Sequence, residues 1–177
     1  SDDISNKDRI KLQSDYLQSN NSCSIVGGYI QEFDKSNSLV KKRIVPITHN
    51  EIIKKGKLIQ PFNHVTIMFK RDCYLKTSGY GTYKYIEDYN LYFNFYIKGY
   101  IFHNLKKVLV NVRLPDKGIR KTNFNYLIEE LKLQFKMYKN KYINLLQLLI
   151  NIFNRLVFRA LPLKLKLFIT NKFLRNF

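Results

Sequence analysis

Two adjacent carboxylates, Glu87 and Asp88, open a helix-like stretch that follows a loop, the whole running from Gly79 to Gly99. An ionised carboxylate can take the proton from an attacking hydroxyl. Spacing assigns the two to different faces. Glu87, Asn90, Asn94 and Lys98 recur every three or four positions and predict one solvent-facing stripe. Asp88 groups with Leu91, Tyr92 and Phe95, which predicts the apolar side. A carboxylate there is costly unless something uses or pairs it. The free N–H groups and dipole of a first helical turn ease that cost. Asp88 therefore reads as a general base, an N-terminal cap or a buried ion-pair partner. A second carboxylate pair, Asp2-Asp3, precedes a predicted helix. Carboxylate oxygens can hold a hard cation on a diphosphate, or the pair is simply a solvated chain end.

Other chemistry is thinly represented. His49, His64 and His103 are scattered and form no HExxH set. Cys23 and Cys73 lack ligand spacing and read as free thiols in a reducing compartment. Neither GxxxxGK[ST] nor GxGxxG occurs. The chain starts at Ser1 on a polar, acidic segment, which reads as a fragment or a processed product without a signal peptide.

These residues need elements to position them. Ser5-Asn6-Lys7-Asp8 has capping-box spacing and predicts a helix from about residue 6 to residue 18, ended by Asn20-Asn21. CSIVGGYIQEF predicts a strand in which Gly27-Gly28 marks a bulge or a close backbone approach. A sheet partner is expected at 39–47. Thr48 to Glu51 is another capping box, with a short helix ending near Gly56. VTIMFK, IFHNL and VLVNVRL read as strands, and Pro115 to Gly118 as a turn. From Asn123 the pattern is helical. In residues 140–160, Asn144, Gln147, Asn151, Asn154 and Arg155 form a thin polar stripe beside a wide apolar face. That suits a packed or interfacial helix better than a membrane span.

The 177 residues carry a formal charge of +18, unevenly spread. Residues 1–100 hold 15 Lys or Arg against 10 Asp or Glu, and residues 101–177 hold 16 against 3. After Glu130 there are ten basic residues and no acid. Such an end fits an anionic partner, namely acidic lipid headgroups, phosphorylated ligands or nucleic acid.

In order, these segments resemble family 2 glycosyltransferases of the bacterial capsule, O-antigen and exopolysaccharide type. Ser1-Asp2-Asp3 with Arg9 and Gln13 behind it resembles the DxDD…R…Q stretch. Val26-Gly27-Gly28 resembles the strand that follows. Pro61, His64, Thr66 and Met68, then Gly79-Tyr80, then Glu87-Asp88-Tyr89 resemble the block PxxHxTxMF…GY…EDYxLW, with Tyr92 where the family has Trp. Asn104-Leu105 and Val112-Arg113 resemble the strand pair closing that block. The match covers about residues 1–114.

The resemblance implies an α/β fold. Residues 1–115 would be the acceptor-side, C-terminal part of a GT-A nucleotide-diphospho-sugar transferase domain, and 116–177 a basic amphipathic helical tail. It implies an inverting transfer from a nucleotide-diphosphate sugar donor to a polyprenyl-linked or polysaccharide acceptor. Asp88 would be the catalytic base. Asp2 would bind Mn²⁺ or Mg²⁺ as the second DxD aspartate. Asp3, Glu87, His64 and Arg113 are possible supporting residues. His64 reads as a structural strand-end residue in preference to a catalyst, and Arg113 as a ligand for an anionic acceptor or diphosphate or a partner for a carboxylate. The DxD motif would begin one residue before Ser1, so the nucleotide-binding half would be absent, the sheet would have an open edge, and this chain alone would be inactive. A cytoplasmic, peripheral location on the inner face of an anionic membrane is expected. The alternatives are a non-catalytic membrane-associated remnant and a basic nucleic-acid-binding module. Against the latter, the basic residues lie among Leu, Ile and Phe rather than exposed aromatics.

Overall fold

The first strand lies where the sequence predicts a capping box. In the computed structural model, which describes residues 3–34, 36, 38–114, 124–162 and 165, β1 is Ile4–Ser5 and the first helix, α1, is Arg9–Ser19. Ser5 pairs with Val110 and so is unavailable as a cap. The Asn6 side chain instead accepts the Asp8 N–H at 3.0 Å, turning the chain into the helix. The chain continues as β2 (Cys23–Phe33), β3 (Leu39–Arg43) and α2 (His49–Gly56). A single 3-10 turn (His64–Thr66) leads into β4 (Met68–Phe69), α3 (Arg71–Leu75) and α4 (Glu87–Ile97). The last elements are β5 (Ile101–Arg113), α5 (Phe124–Lys139) and α6 (Leu145–Ala160).

The architecture is mixed α/β, as the sequence predicts. The sheet runs β1-β5-β2-β3, with β4 also on β2. β2 and β5 pair in parallel at the centre, and the other pairings are antiparallel. Successive residues of β2 face opposite ways. Ile25 packs into a cluster built from α2, α4, α5 and α6, while Val26 packs against Leu17 of α1. The sheet is thus covered by helices on both faces.

Several sequence expectations change in detail. The two strands expected after Gly99 are one continuous β5, kinked where Gly28 faces Leu105 but Tyr29 faces Val108. Lys106 and Lys107 fill that step as a bulge, which keeps both halves on one strand. VTIMFK forms the 3-10 turn and only a two-residue strand. The turn expected at Pro115 to Gly118 and the segment beyond Leu165 lie outside the described residues. The capping box at Thr48 is present, with reciprocal Thr48 and Glu51 bonds. Both cysteines are free thiols, and burial raises the pKa of Cys23.

α2 ends inside the protein, so its last carbonyls need donors. Buried tyrosines supply them. Tyr89 Oη donates to Gly56 O at 2.7 Å, and Tyr142 Oη to Ile53 O at 2.6 Å. Tyr92 Oη lies 2.8 Å from Tyr142 Oη. Burial raises the pKa of all three phenols and keeps them neutral. Just past the helix, Asn151 Nδ2 of α6 donates to Lys57 O at 2.8 Å and Arg155 Nη2 to Leu58 O at 3.0 Å. Asn151 and Arg155 of the polar stripe therefore face the protein, with Leu148 buried in the core, while Asn144 and Asn154 are exposed. Most of the other apolar residues of α6 face outward, unlike those of an ordinary packed helix.

Gly27 marks a close approach. A Cβ there would lie 2.4 Å from Asn104 Oδ1 and 2.9 Å from Phe62 Cδ1, both on buried residues. Gly27→Ala is expected to lower the unfolding free energy by about 1–3 kcal/mol, the usual range for overpacking. Urea denaturation measures it. An unchanged midpoint would show that Asn104 can move aside.

Candidate active site

The site begins with α1. Gln13 is fully buried, and its Nε2 donates to Val26 O at 2.9 Å and Thr66 O at 2.8 Å. Arg9 Nε donates to Gln13 Oε1 at 3.0 Å, fixing the amide orientation. Thr66 Oγ1 accepts the Gly28 N–H at 3.0 Å and donates to Asn63 O at 2.7 Å. These bonds clamp the 3-10 turn onto β2 at the glycine pair. They fix the backbone that carries His64.

Facing His64 is Tyr80, on the loop before α4. Gly79 and Gly81 flank it with φ of +55° and +69°, a backbone region that glycine enters without strain. The loop is held from α4. Asn94 Nδ2 donates to Gly79 O at 2.8 Å and Asn90 Nδ2 to Tyr80 O at 2.9 Å. Both asparagine side-chain carbonyls accept from one ammonium: Lys136 Nζ of α5 lies 2.8 Å from Asn90 Oδ1 and 2.7 Å from Asn94 Oδ1. Burial lowers the pKa of Lys136. The predicted solvent-facing stripe is corrected here. Asn90 and Asn94 are only 1% and 4% exposed because α5 covers that side of α4. α5 also holds the next part of the loop: the Glu129 carboxylate accepts the N–H groups of Lys84 and Tyr85 at 2.8 to 3.1 Å.

Tyr80 Oη sits 3.4 Å from His64 Nε2, with the two rings edge to face. Burial raises the pKa of Tyr80, and the nearby Tyr74, Asp88 and Glu87 raise it further. Tyr80 thus touches His64 and lies within electrostatic reach of Glu87 and Asp88. Asp88 is half-buried on the first turn of α4, not in the core as its spacing predicts. Its Oδ1 accepts the Tyr89 N–H at 2.7 Å. Glu87 is half-buried too, and its Oε2 is buried without a hydrogen-bond partner among the described residues. The arrangement places a half-buried carboxylate within electrostatic reach of a phenol that itself contacts an imidazole.

Asp3 and Arg113 belong elsewhere. Asp3 Oδ1 accepts the Arg113 N–H at 3.2 Å, and the Arg113 guanidinium stacks over the Phe33 ring at 4.6 Å. Phe33 ends β2, five residues past Gly28, or roughly 17 Å along the strand. Asp2 lies outside the described residues. Among the described residues, no three His, Cys, Asp or Glu gather as a metal cluster. A hard cation on a diphosphate can be held by one or two carboxylates together with phosphate oxygens and water, so a lone Asp2 fits that role without such a cluster.

Glu129 and Lys136 are supporting residues that local reasoning misses, and Tyr80, quoted in the block, is given no role by it. For Asn90 and Asn94 there is a signal: two amides four residues apart in an otherwise aromatic helix. For Glu129 and Lys136 there is none, since their partners lie more than 40 residues away.

Sequence comparison places this site in context. The chain is similar to bacterial glycosyltransferases, among them proteins of polysaccharide biosynthesis. It is 32% identical over 181 residues to a UDP-Gal:alpha-D-GlcNAc-diphosphoundecaprenol beta-1,3-galactosyltransferase of Escherichia coli, covering 100% of this chain and 65% of that one. An amylovoran biosynthesis glycosyltransferase of Erwinia amylovora is 28% identical, with 97% and 64% covered. An O-antigen biosynthesis glycosyltransferase of Escherichia coli is 31% identical, with 71% and 50% covered. The chain therefore spans about half to two thirds of the length of these relatives. No family model matches it.

Lys136→Met removes the donor shared by two buried carbonyls. A buried polar group left unsatisfied costs about 1–3 kcal/mol. The variant is expected to lose stability in that range in urea denaturation, and amide exchange across Gly79–Tyr85 should accelerate. Unchanged exchange there would show that the loop holds itself.

Proposed function

We propose that this chain is the acceptor-side part of an inverting, metal-dependent glycosyltransferase of family 2 with a GT-A fold. On this reading it transfers a hexose from a nucleotide-diphosphate sugar to a polyprenyl-linked or polysaccharide acceptor at the cytoplasmic face of the membrane. The observation that carries the reading is the contact of His64 with Tyr80, itself within electrostatic reach of Glu87 and Asp88 at the start of α4, in a chain similar to bacterial glycosyltransferases. Asp88 takes the proton from the acceptor hydroxyl as that oxygen attacks the anomeric carbon, on the face opposite the leaving diphosphate. Glu87 adds negative charge that favours a cationic or proton-donating neighbour. A divalent cation held by Asp2 would neutralise the departing diphosphate. Asp3 and Arg113 contribute to the sheet rather than to the proton transfer.

The 15% aromatic content does not favour the nucleic-acid alternative. Many of the aromatic residues, Tyr92, Phe93, Phe95 and Tyr142 among them, are buried in the core and offer no stacking face. The remnant alternative shares the membrane location but predicts no chemistry.

Asp88→Asn tests the assignment in a polypeptide extended to the length of the relatives, since the chain spans 65% of the galactosyltransferase it matches. Loss of a general base costs about 10²- to 10⁴-fold in kcat. We expect that loss in a transfer assay with a nucleotide sugar and a lipid-linked acceptor, with nucleotide binding retained. Near-normal turnover would make Asp88 structural. The 177-residue chain by itself is expected to transfer no sugar.

A further inference from the structure

α6 turns Asn151 and Arg155 inward and leaves an apolar face uncovered. Asn151 is 1% exposed and bonded to Lys57 O and to Gln134 Oε1 of α5. Outward lie Leu145, Leu146, Leu149, Ile150, Phe153 and Leu156, with Leu146 and Phe153 each 65% exposed. A continuous apolar face of this kind on a helix marks a docking surface.

Charge selects what docks there. Beside the first turn of α6 is a shallow depression of about 410 Å³, lined by Asn50, Ile53, Lys54, Lys57, Leu58 and Gln147. Two lysines thus border the apolar face where α2 meets α6. Leu58, which is exposed, extends the apolar surface toward them. The sequence after Glu130 carries ten basic residues and no acid, although Lys136, Arg155 and Arg159 are engaged within the protein. A second copy would bring the same charge of +18 against itself, which opposes self-association. An anionic lipid leaflet answers both features, with acyl chains for the apolar side chains and phosphates for the ammonium groups.

We propose that α6 is an interfacial helix that seats on an anionic leaflet. Its Leu, Ile and Phe side chains enter the acyl boundary, and Lys54 and Lys57 contact headgroup phosphates. This deepens the peripheral-membrane part of the reading above and does not depend on Asp88. Among the described residues, no helix is long and apolar enough to cross a membrane. α6 lies in the surface, and Asn151 and Arg155 remain on the protein.

Vesicle flotation of the 177-residue chain tests it, with phosphatidylglycerol–phosphatidylcholine vesicles against phosphatidylcholine alone. We expect at least about tenfold stronger binding to the anionic vesicles, weakened by salt. Leu149→Glu with Phe153→Glu, both on exposed positions, should reduce binding by about tenfold or more. Lys54→Glu with Lys57→Glu should erase the preference for anionic lipid while leaving the thermal midpoint unchanged. Equal binding to both vesicle types, or full binding by the Leu149→Glu/Phe153→Glu variant, would overturn the proposal. So would dimerisation of the parent that this variant abolishes without vesicle binding, because the face would then belong to a second copy. No sugar transfer is read, so a failure here leaves the role of Asp88 untouched, and a failure of the transfer assay leaves this one standing.

Discussion

One buried ammonium group ties the candidate site to the rest of the chain. Lys136 Nζ donates to the side-chain carbonyls of Asn90 and Asn94, and the amide groups of those residues hold the carbonyls of Tyr80 and Gly79. A partly desolvated cation is tolerated because each of these bonds is charge-assisted and the acceptors are fixed on one face of a helix. The amide planes leave little freedom: with both carbonyl oxygens turned to Lys136, both NH₂ groups point at the loop. The orientation of Tyr80 toward His64 follows from a residue on a helix that enters the chain 46 positions after Asn90.

What could be read from the sequence follows from how local its cause is. The Thr48 cap and the long strand around Gly27-Gly28 depend on neighbours a few residues away, and both are present. Ser5 fails as a cap because a long-range pairing with β5 claims its backbone. Asn90 and Asn94 look solvent-facing by spacing, since periodicity reports polarity and not what covers it. Asp88 is misplaced for the same reason: α4 is buried on nearly every side from Tyr89 to Phe95, so an apolar face cannot be distinguished by composition alone. The block carrying His64, Tyr80, Glu87 and Asp88 was legible through its order and spacing. That His64 meets Tyr80 within electrostatic reach of Glu87 and Asp88 is seen only in the fold.

The inverted polarity of α6 has a comparable origin. Backbone carbonyls at the end of a buried helix cannot reach water, and leaving them unpaired costs as much as a lost hydrogen bond. α2 ends against the core, and its carbonyls are met by Tyr89 and Tyr142 within it and, just beyond, by Asn151 and Arg155 of α6. Asn151 and Arg155 are thus committed to the backbone just past another helix. Glu130 on α5 completes the seam, with Arg159 Nη2 at 2.9 Å from its carboxylate. With Asn151 and Arg155 committed inward, the outer face of α6 is left mostly to Leu, Ile and Phe side chains, although Asn154 is also exposed.

The same contacts give the site an outward connection. The loop carrying Tyr80 and leading to Asp88 has little regular structure between Leu75 and Glu87. Its geometry comes from outside: Asn90 and Asn94 at its start, Glu129 of α5 near its end, and the Tyr89 bond to α2 just past Asp88. α5 acts at the first two points, directly through Glu129 and through Lys136 behind the asparagines. α5 is in turn joined to α6 by the 2.8 Å bond from Asn151 to Gln134 and by the Glu130 ion pair. A surface seated on α6 therefore bears on the helix that shapes the loop. A carboxylate that must meet an acceptor hydroxyl within hydrogen-bonding reach needs this kind of fixed support, because a displacement of about 1 Å is enough to spoil the geometry of proton transfer.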